Sequence, residues 1–532
     1  MLPALVRRGE RSGFDIYDYE YLFNDQGTKE LIKNGNTIGC FYIESPGMRS
    51  LLRRLDVDNF EMLTAASSVI RPGVAESGMM QEFIARHKDP RRRKYLLPEM
   101  EKYLGETYGV MIYQEDVIKV AHHIAGLTLE ESDLLRRAMS GKMRSSKAMM
   151  RIKERFFSSC RDKGLKDNTS KELWRQIESF AGYAFCKSHS ASFALLSFQV
   201  AYLKVHYPAE FMASVLSNRG GYYSPAVYIQ EAKRLGLTVY LPCVNHSKYE
   251  YTGSGKELRI GFQAVKNLPY NTATGIVRER QLRGPYQSFG EFLERTGACY
   301  EESKLLVKCG ALDCFGESRI TLMRWLDLHF KHRNRFGDDG VSLFSGMASG
   351  LEEDIRSDYD YSIEQKCLDE MESFDYMVSR HPLEFFPGWL NDPSIIKAKD
   401  INLHNGKKIR ITGWYMTSKR IKTKRGEIMK FLSLEDTTGT FEAVLFPESY
   451  AKYAVNTLSM GPYVIEGTVD AASGNNIIVE KLELLSSGPL DIKAPVSYEE
   501  GVFTGDNEKV TDEDLEMLNK LGREKLIWAY AG

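Results

Sequence analysis

Nowhere do two of the eight cysteines form a CxxC pair; Cys40, Cys160, Cys186, Cys243, Cys299, Cys309, Cys314 and Cys367 stand singly. That scatter argues against a zinc site and against a disulfide framework, and points to free thiols in a reducing compartment. Charge of one sign is missing too. The 71 Lys and Arg against 72 Asp and Glu leave a net charge of −1, so no overall basicity announces a nucleic-acid partner. No run reaches the roughly 18 apolar residues of a membrane span. The first residues, "MLPALVRRGERSG", lack the apolar stretch of a signal peptide. A soluble cytoplasmic protein without a membrane partner is expected. What is present is length: 532 residues at 43% apolar composition suffice for several domains with real cores.

The patterning changes along the chain. From about residue 27 to 217 it is long and helical. "LTLEESDLLRRAMSGK" opens with Thr128 and has Glu131 three positions on, a capping box, and Leu173, Ile177 and Phe180 recur at helical spacing. Residues 218 to about 335 turn to shorter elements, with strand-like "LTVYLPCVN" and "KELRIGFQAV" before three short helices. Residues 336–360 are rich in glycine and acid and read as a connector. From Lys407 to about Leu485 the period becomes two, in five runs separated by turn signals such as "DTTG" and "ASGNN". A helix-like "PESYAKYAV" falls between the third and fourth run, which is the pattern of an OB barrel. The fold class expected is α+β and multidomain: mostly helical first, with a five-stranded OB-type barrel near the C-terminus.

Candidate chemistry sits in few places. "YAFCKSHSASFALLSFQVAYLKVHYP" is apolar almost all round from Ala191 to Leu203, yet Lys187, Ser188, His189 and Ser190 precede that run. Either Ser188 caps a helix whose first charges lie in water, or a phosphate-bearing ligand meets the N–H groups of that helix start. Basic residues cluster in three stretches. Arg49, Arg53 and Arg54 lie in "MRSLLRRL", and Arg136, Arg137, Lys142, Arg144, Lys147, Arg151, Lys153 and Arg155 follow one another closely. Lys419, Arg420, Lys422, Lys424 and Arg425 crowd the hairpin between the first two barrel strands. Cations at that hairpin could track single-stranded nucleic acid while Trp414, Tyr415 and Phe431 stack bases. The competing readings are solvated charged faces and core aromatics. His122 and His123 point about 100° apart on a helix and make a poor metal pair. Asp358 and Asp360 lie in the acidic connector and read as solvated, and "GSGKE" lacks the spacing of a P-loop. No complete catalytic site and no metal site is found.

Five runs together carry a resemblance: "GCFYIESPGMRSLLRRL", "SSVIRPGVAESGM", "ETYGVMIYQEDVIKVAHHIAG", "ESDLLRRAMSGK" and "FAGYAFCKSHSASFALLSFQVAYLKVHYPAEFMASVLSN". In order and spacing they resemble the fingers of bacterial C-family DNA polymerases, the family of the DNA polymerase III alpha subunit. The likeness continues through "RIGFQAVKNL", "CGALDCFG" and "SRHPLEFF" into the barrel, to about residue 486. It implies a connection to the palm in residues 1–36, fingers in 37–217 and a helix-hairpin-helix and clamp-binding domain in 218–345. A linker and helical segment would follow in 346–400, then the OB-fold in 401–486 and an acidic tail in 487–532.

The resemblance also implies roles. Arg136 and Arg137 would reach the triphosphate of an incoming dNTP, since guanidinium forks suit phosphate oxygens. Ser188 and His189 would lie beside the sugar, with Lys187 as nearby charge. The family's magnesium is held by three palm aspartates, two in a "PDxDxDF"-type motif; this sequence has no such motif. A portion inactive alone and completed by a separately encoded N-terminal polymerase half is therefore expected. Two local departures stand out. "KNLP", Lys266 to Pro269, replaces the family's "KGVG", which grips a DNA phosphate through backbone amides. "GVSLF" keeps Leu343 and Phe344 of a peptide that docks on the sliding clamp, with Gly340 where glutamine is usual. The partners implied are template–primer and single-stranded DNA, dNTP and the clamp. Two alternatives are a non-catalytic DNA- or clamp-binding module, and an RNA-binding barrel on another nucleotide enzyme.

Overall fold

The computed structural model describes residues 15–70, 78–139, 146–178, 186–336, 356–423, 425–470 and 476–485. The chain divides into two compact units, one built on Leu2–His206 and the other on Tyr207–Ala471 with Asn475–Gly532. No helix among the described residues is long and apolar enough to cross a membrane.

The first unit is helical. In chain order its α-helices are α1 (Tyr19–Asn24), α2 (Gln26–Lys33), α3 (Pro46–Arg54), α4 (Phe60–Val69), α5 (Met79–Lys88), α6 (Met100–Leu104), α7 (Gln114–Lys119), α8 (Leu129–Met139), α9 (Ser146–Asp162), α10 (Asp167–Glu178) and α11 (Lys187–His206). Short polar side chains start several of them. Asp25 accepts from the Thr28 N–H at 2.8 Å and Asn59 from that of Met62 at 2.8 Å. The capping box of α8 forms: Thr128 N–H donates to Glu131 at 2.9 Å, and Glu131 N–H to the Thr128 hydroxyl at 3.2 Å.

The unit is organised around α11, which is buried continuously from Ser197 to Leu203 and on to Lys204. A helix buried on every side needs partners for its polar side chains. Gln199 donates to Ile16 O (3.1 Å), Ser197 to Phe41 O (3.0 Å), and Lys204 Nζ to Asn36 O (2.7 Å) and Ile38 O (2.8 Å). Ser197 and Lys204 thus fasten the loop before α3 and Gln199 the segment before α1, at a net gain of about 1 kcal/mol for each neutral bond. Arg49 belongs to the same loop support. It is buried and gives its Nε hydrogen to Gly35 O at 2.8 Å, which makes it part of the frame and not an exposed cation.

The second unit begins with α12 (Pro208–Asn218) and α13 (Pro225–Arg234) beside a small sheet of β1 (Thr238–Tyr240), β2 (Thr252–Ser254) and β3 (Glu257–Arg259) in the order β1-β3-β2. Helices α14 (Tyr270–Arg283), α15 (Phe289–Thr296), α16 (Tyr300–Lys308), α17 (Arg319–Phe336), α18 (Ile363–Phe374) and α19 (Pro387–Leu390) follow. The "CGALDCFG" run closes around Arg319, which is 1% exposed. Its guanidinium makes a paired bond to Asp313 (3.0 and 2.8 Å) and donates to Lys308 O at 2.8 Å. Asp360 holds the start of α17 by accepting from Arg319 N–H at 3.0 Å and pairs with Lys366 at 2.5 Å. It is a structural carboxylate, fastened where the sequence suggested a solvated one.

The last part is a closed five-stranded barrel, β4 (Lys408–Lys422), β5 (Ile428–Glu435), β6 (Thr440–Leu445), β7 (Tyr463–Asp470) and β8 (Asn476–Leu484), in the order β4-β5-β6-β8-β7. Helix α20 (Pro447–Tyr453) lies between β6 and β7 in the chain, where the OB pattern placed it. Strand β4 pairs with β7 along its first half and with β5 along its second, with a register shift between Tyr415 and Thr417. Gly413 sits at this crossing; a Cβ there would come within 2.8 Å of the Phe441 ring and 2.9 Å of Leu434. Ile411, Leu432, Leu434, Phe441, Ala443, Leu445, Ile465 and Leu482 fill the interior.

Candidate functional site

Arg136 of α8 and the polar start of α11 meet at one turn, residues 113–116. Gln114 accepts from Arg136 Nη1 at 2.9 Å, and Glu115 accepts from the Lys187 backbone N–H at 2.9 Å. Asp116, fully buried, holds the turn by accepting from the N–H groups of Ile112 and Tyr113, both at 3.0 Å. Burial pushes its carboxyl up to about 6, an effect that those two N–H bonds partly offset. Lys187 Nζ pairs with Glu106 at 2.6 Å and lies 5.4 Å from the centre of the Tyr113 ring.

Both arginines are held from below by Asp133. Its carboxylate accepts from Arg136 Nε (2.9 Å) and Nη2 (2.8 Å), and from Arg137 Nε at 2.7 Å. These bonds, led by that from Arg136, hold the Asp133 carboxyl below its usual range. The Arg136 side chain is 23% exposed and that of Arg137 61%, so Arg137 presents the more open fork. Ser188 is exposed beside Cys186, with its hydroxyl 3.3 Å from the sulfur. His189 lies tilted against Phe193 (4.2 Å), which meets Phe41 (5.4 Å) and Tyr42 (4.8 Å) edge-on. Arg136 and Lys187, far apart in sequence, thus engage neighbouring residues, Gln114 and Glu115. The first N–H of α11 is engaged by a glutamate and not by a Ser188 cap.

On the barrel, Lys419, Arg420, Lys422 and Arg425 are exposed around the turn joining β4 to β5; Lys424 lies outside the described residues. The turn closes through Thr423 N–H to Glu427 O at 2.8 Å and Gly426 N–H to Thr423 O at 2.9 Å. Phe431 is half-buried and lies opposite Lys419 across the ladder. Trp414 differs from the stacking platform suggested by its strand. It is 7% exposed, packed with Leu383, Val464 and Leu485. The inward register of β4 at that position, covered by the "SRHPLEFF" segment, leaves no face for a base.

Residues 2–164 match the family described as "Bacterial DNA polymerase III alpha subunit finger domain", and residues 236–322 match "Helix-hairpin-helix motif". Over 480 residues the chain is 31% identical to the DNA polymerase III subunit alpha of Staphylococcus aureus (strain MRSA252), covering 89% of this chain and 44% of that one. Over 463 residues it is 35% identical to the DNA polymerase III subunit alpha of Thermus aquaticus, covering 83% and 37%. The chain belongs to the bacterial DNA polymerase III alpha family. It spans less than half the length of the curated relatives it matches.

In the helix-hairpin-helix region the "KNLP" stretch runs through a left-handed residue and is tied to its own unit. Asn267 has φ +60°, the left-handed conformation that asparagine tolerates better than other side chains. Lys266 donates its backbone N–H to Ser373 O at 2.8 Å, and its side chain pairs with Asp375, so this cation is engaged inside its own unit. Leu343 and Phe344 lie outside the described residues. Sequence reading missed Gln114, Glu115 and Asp133, the residues that join the arginines to the α11 start. The only signal was their place in "YQEDVI" and "ESDLLRRAM", since a carboxylate beside arginines in sequence reads as an ordinary helix ion pair.

Proposed function

We propose that this chain is the fingers-to-barrel portion of a DNA-directed DNA polymerase acting in bacterial DNA replication or repair synthesis, and that it binds the incoming dNTP. The observation that supports this reading is the turn at Gln114 and Glu115, where Gln114 accepts from Arg136 and Glu115 accepts from the first N–H of α11. The arginine forks would hold phosphate oxygens, exchanging Asp133 for a triphosphate that offers more charge. Lys187 would add charge, while Ser188 and His189 would face the sugar. The guanidinium groups would also stabilise charge that grows on the leaving phosphates. In this reading the barrel hairpin contacts the template strand, Leu343 and Phe344 dock on a sliding clamp, and the work is done in the cytoplasm.

Magnesium is the family's cofactor. Among the described residues no group of three His, Cys, Asp or Glu could hold a metal ion, and the sequence has no "PDxDxDF"-type motif. The residues present do not fit that ion, so no step through it is derived for this chain. The carboxylates are assigned to the family's N-terminal half. The test is magnesium-dependent extension of a primed template. The chain alone is expected to give none, and extension should begin when the family's N-terminal half is added and fall with Arg136→Ala/Arg137→Ala. Steady extension by the chain alone would falsify the assignment of the carboxylates. Preference for structured RNA over primed DNA would move the reading to another enzyme class.

A further inference from the structure

A second basic surface lies at the end of α5 and in the 3-10 turn Pro90–Arg92 that follows. Residues 86–94 hold Arg86, Lys88, Arg91, Arg92, Arg93 and Lys94 against Asp89 alone, six cations minus one anion, or +5 with His87 neutral, in a chain whose total is −1. The segment sorts these residues by direction. Arg86 turns inward, donating to Tyr108 O at 2.7 Å and pairing with Glu82 at 2.8 Å. Arg93 donates to Arg86 O at 3.0 Å and lies 4.2 Å over the Tyr108 ring, whose hydroxyl is 3.0 Å from His87 Nδ1. Those contacts stiffen the turn. Lys88, Arg91, Arg92 and Lys94 remain exposed on it.

Why would a chain of balanced charge gather four exposed cations on a braced turn? A solvated helix face needs no bracing, and its charges alternate in sign. Arg91 is 91% exposed and held by Asp89 at 2.9 and 3.2 Å, an open, water-screened pair readily exchanged for phosphate. The segment carries no Asn or Gln to read base edges. It suits a dense row of negative charge, and duplex DNA offers one per roughly 1.7 Å of axis. The geometry points to this turn as a contact for the phosphodiester backbone of duplex DNA. Lys88, Arg91, Arg92 and Lys94 meet phosphates, and Arg86 and Arg93 position them. This rests on the reading of the chain as a DNA-handling polymerase portion.

The experiment is binding of the full chain to a labelled DNA duplex across a salt series. For Lys88→Gln/Arg91→Gln/Arg92→Gln/Lys94→Gln, the slope of log affinity against log salt is expected to shrink by about 3 to 4, with affinity at least roughly tenfold weaker at moderate salt. Arg92→Gln/Lys94→Gln should shrink it by about 2 and serves if the fourfold variant does not fold. Arg91→Lys/Arg92→Lys, which keeps the charge, should keep the slope. Lys166→Gln/Lys171→Gln, exposed lysines elsewhere in the same unit, sets the background. A slope unchanged, or shrunk no more than in that control, overturns the contact while leaving the polymerase reading intact. Absence of any duplex binding by the unmodified chain overturns both.

Discussion

Asp133 offers the sharpest test of how the arginine site works. Its carboxylate occupies Arg136 Nε and Nη2 and Arg137 Nε at 2.7 to 2.9 Å, donors that a triphosphate would also need. Asp133 is 34% exposed, enough for water to screen these pairs, so each is worth only about 0.2–1 kcal/mol. Replacing Asp133 with asparagine removes two such pairs and the field of one anion. Nucleotide affinity should then rise by about 0.5–2 kcal/mol, or roughly two- to thirtyfold. The measurement is titration of the full chain with a fluorescent dNTP for the parent, Asp133→Asn and Arg136→Ala/Arg137→Ala. The gain should diminish with salt, because exposed charges are screened. Because Asp133 titrates below the usual carboxylate range, the gain should be constant from about pH 5 to 8. If Asp133→Asn instead weakens binding while the arginine variant abolishes it, Asp133 orients the forks and does not compete with the ligand. The exchange argument would then be wrong.

Three further outcomes are expected. His381 is buried, with Nδ1 accepting from Leu383 N–H at 3.1 Å; burial first, then the Arg234 and Lys233 charges, hold its pKa down to about 3. The unfolded chain therefore takes up this proton first. Stability from this group is intact above about pH 6.5 and is lost as pH falls, by about 2 kcal/mol at pH 5, which urea unfolding of the parent against His381→Gln would read. Gly310 has φ +79°, and a Cβ there would lie 2.3 Å from Arg319 Nη2; Gly310→Ala should cost about 2–4 kcal/mol, seen as a lower unfolding midpoint of the second unit. Neutralising Lys419, Arg420, Lys422 and Arg425 to Gln should weaken single-stranded DNA binding and shrink its salt slope by about 3, whereas Trp414→Phe should leave that slope unchanged and lower only stability.

Some of this was legible in the chain alone. Period-two runs with turn signals between them specify a small barrel, because alternating side chains can bury only one face. The Thr128–Glu131 box and the apolar α11 run were readable because helix caps and continuous burial are local properties. Tertiary structure decided three other things. The first is which cations are spent inward: Arg49 and Arg319 are buried beside carbonyls or a carboxylate, while Arg137 and Arg425 stand open. The second is the fate of Trp414, whose exposure depends on a segment arriving from earlier in the chain. The third is the joining of residues 114, 115, 133, 136 and 187, distant in sequence, at one turn. Local pattern sets which elements form, since helix and strand periods are properties of neighbours. Whether a charged or aromatic side chain meets solvent, core or ligand depends on what packs over it, and only the folded chain supplies that.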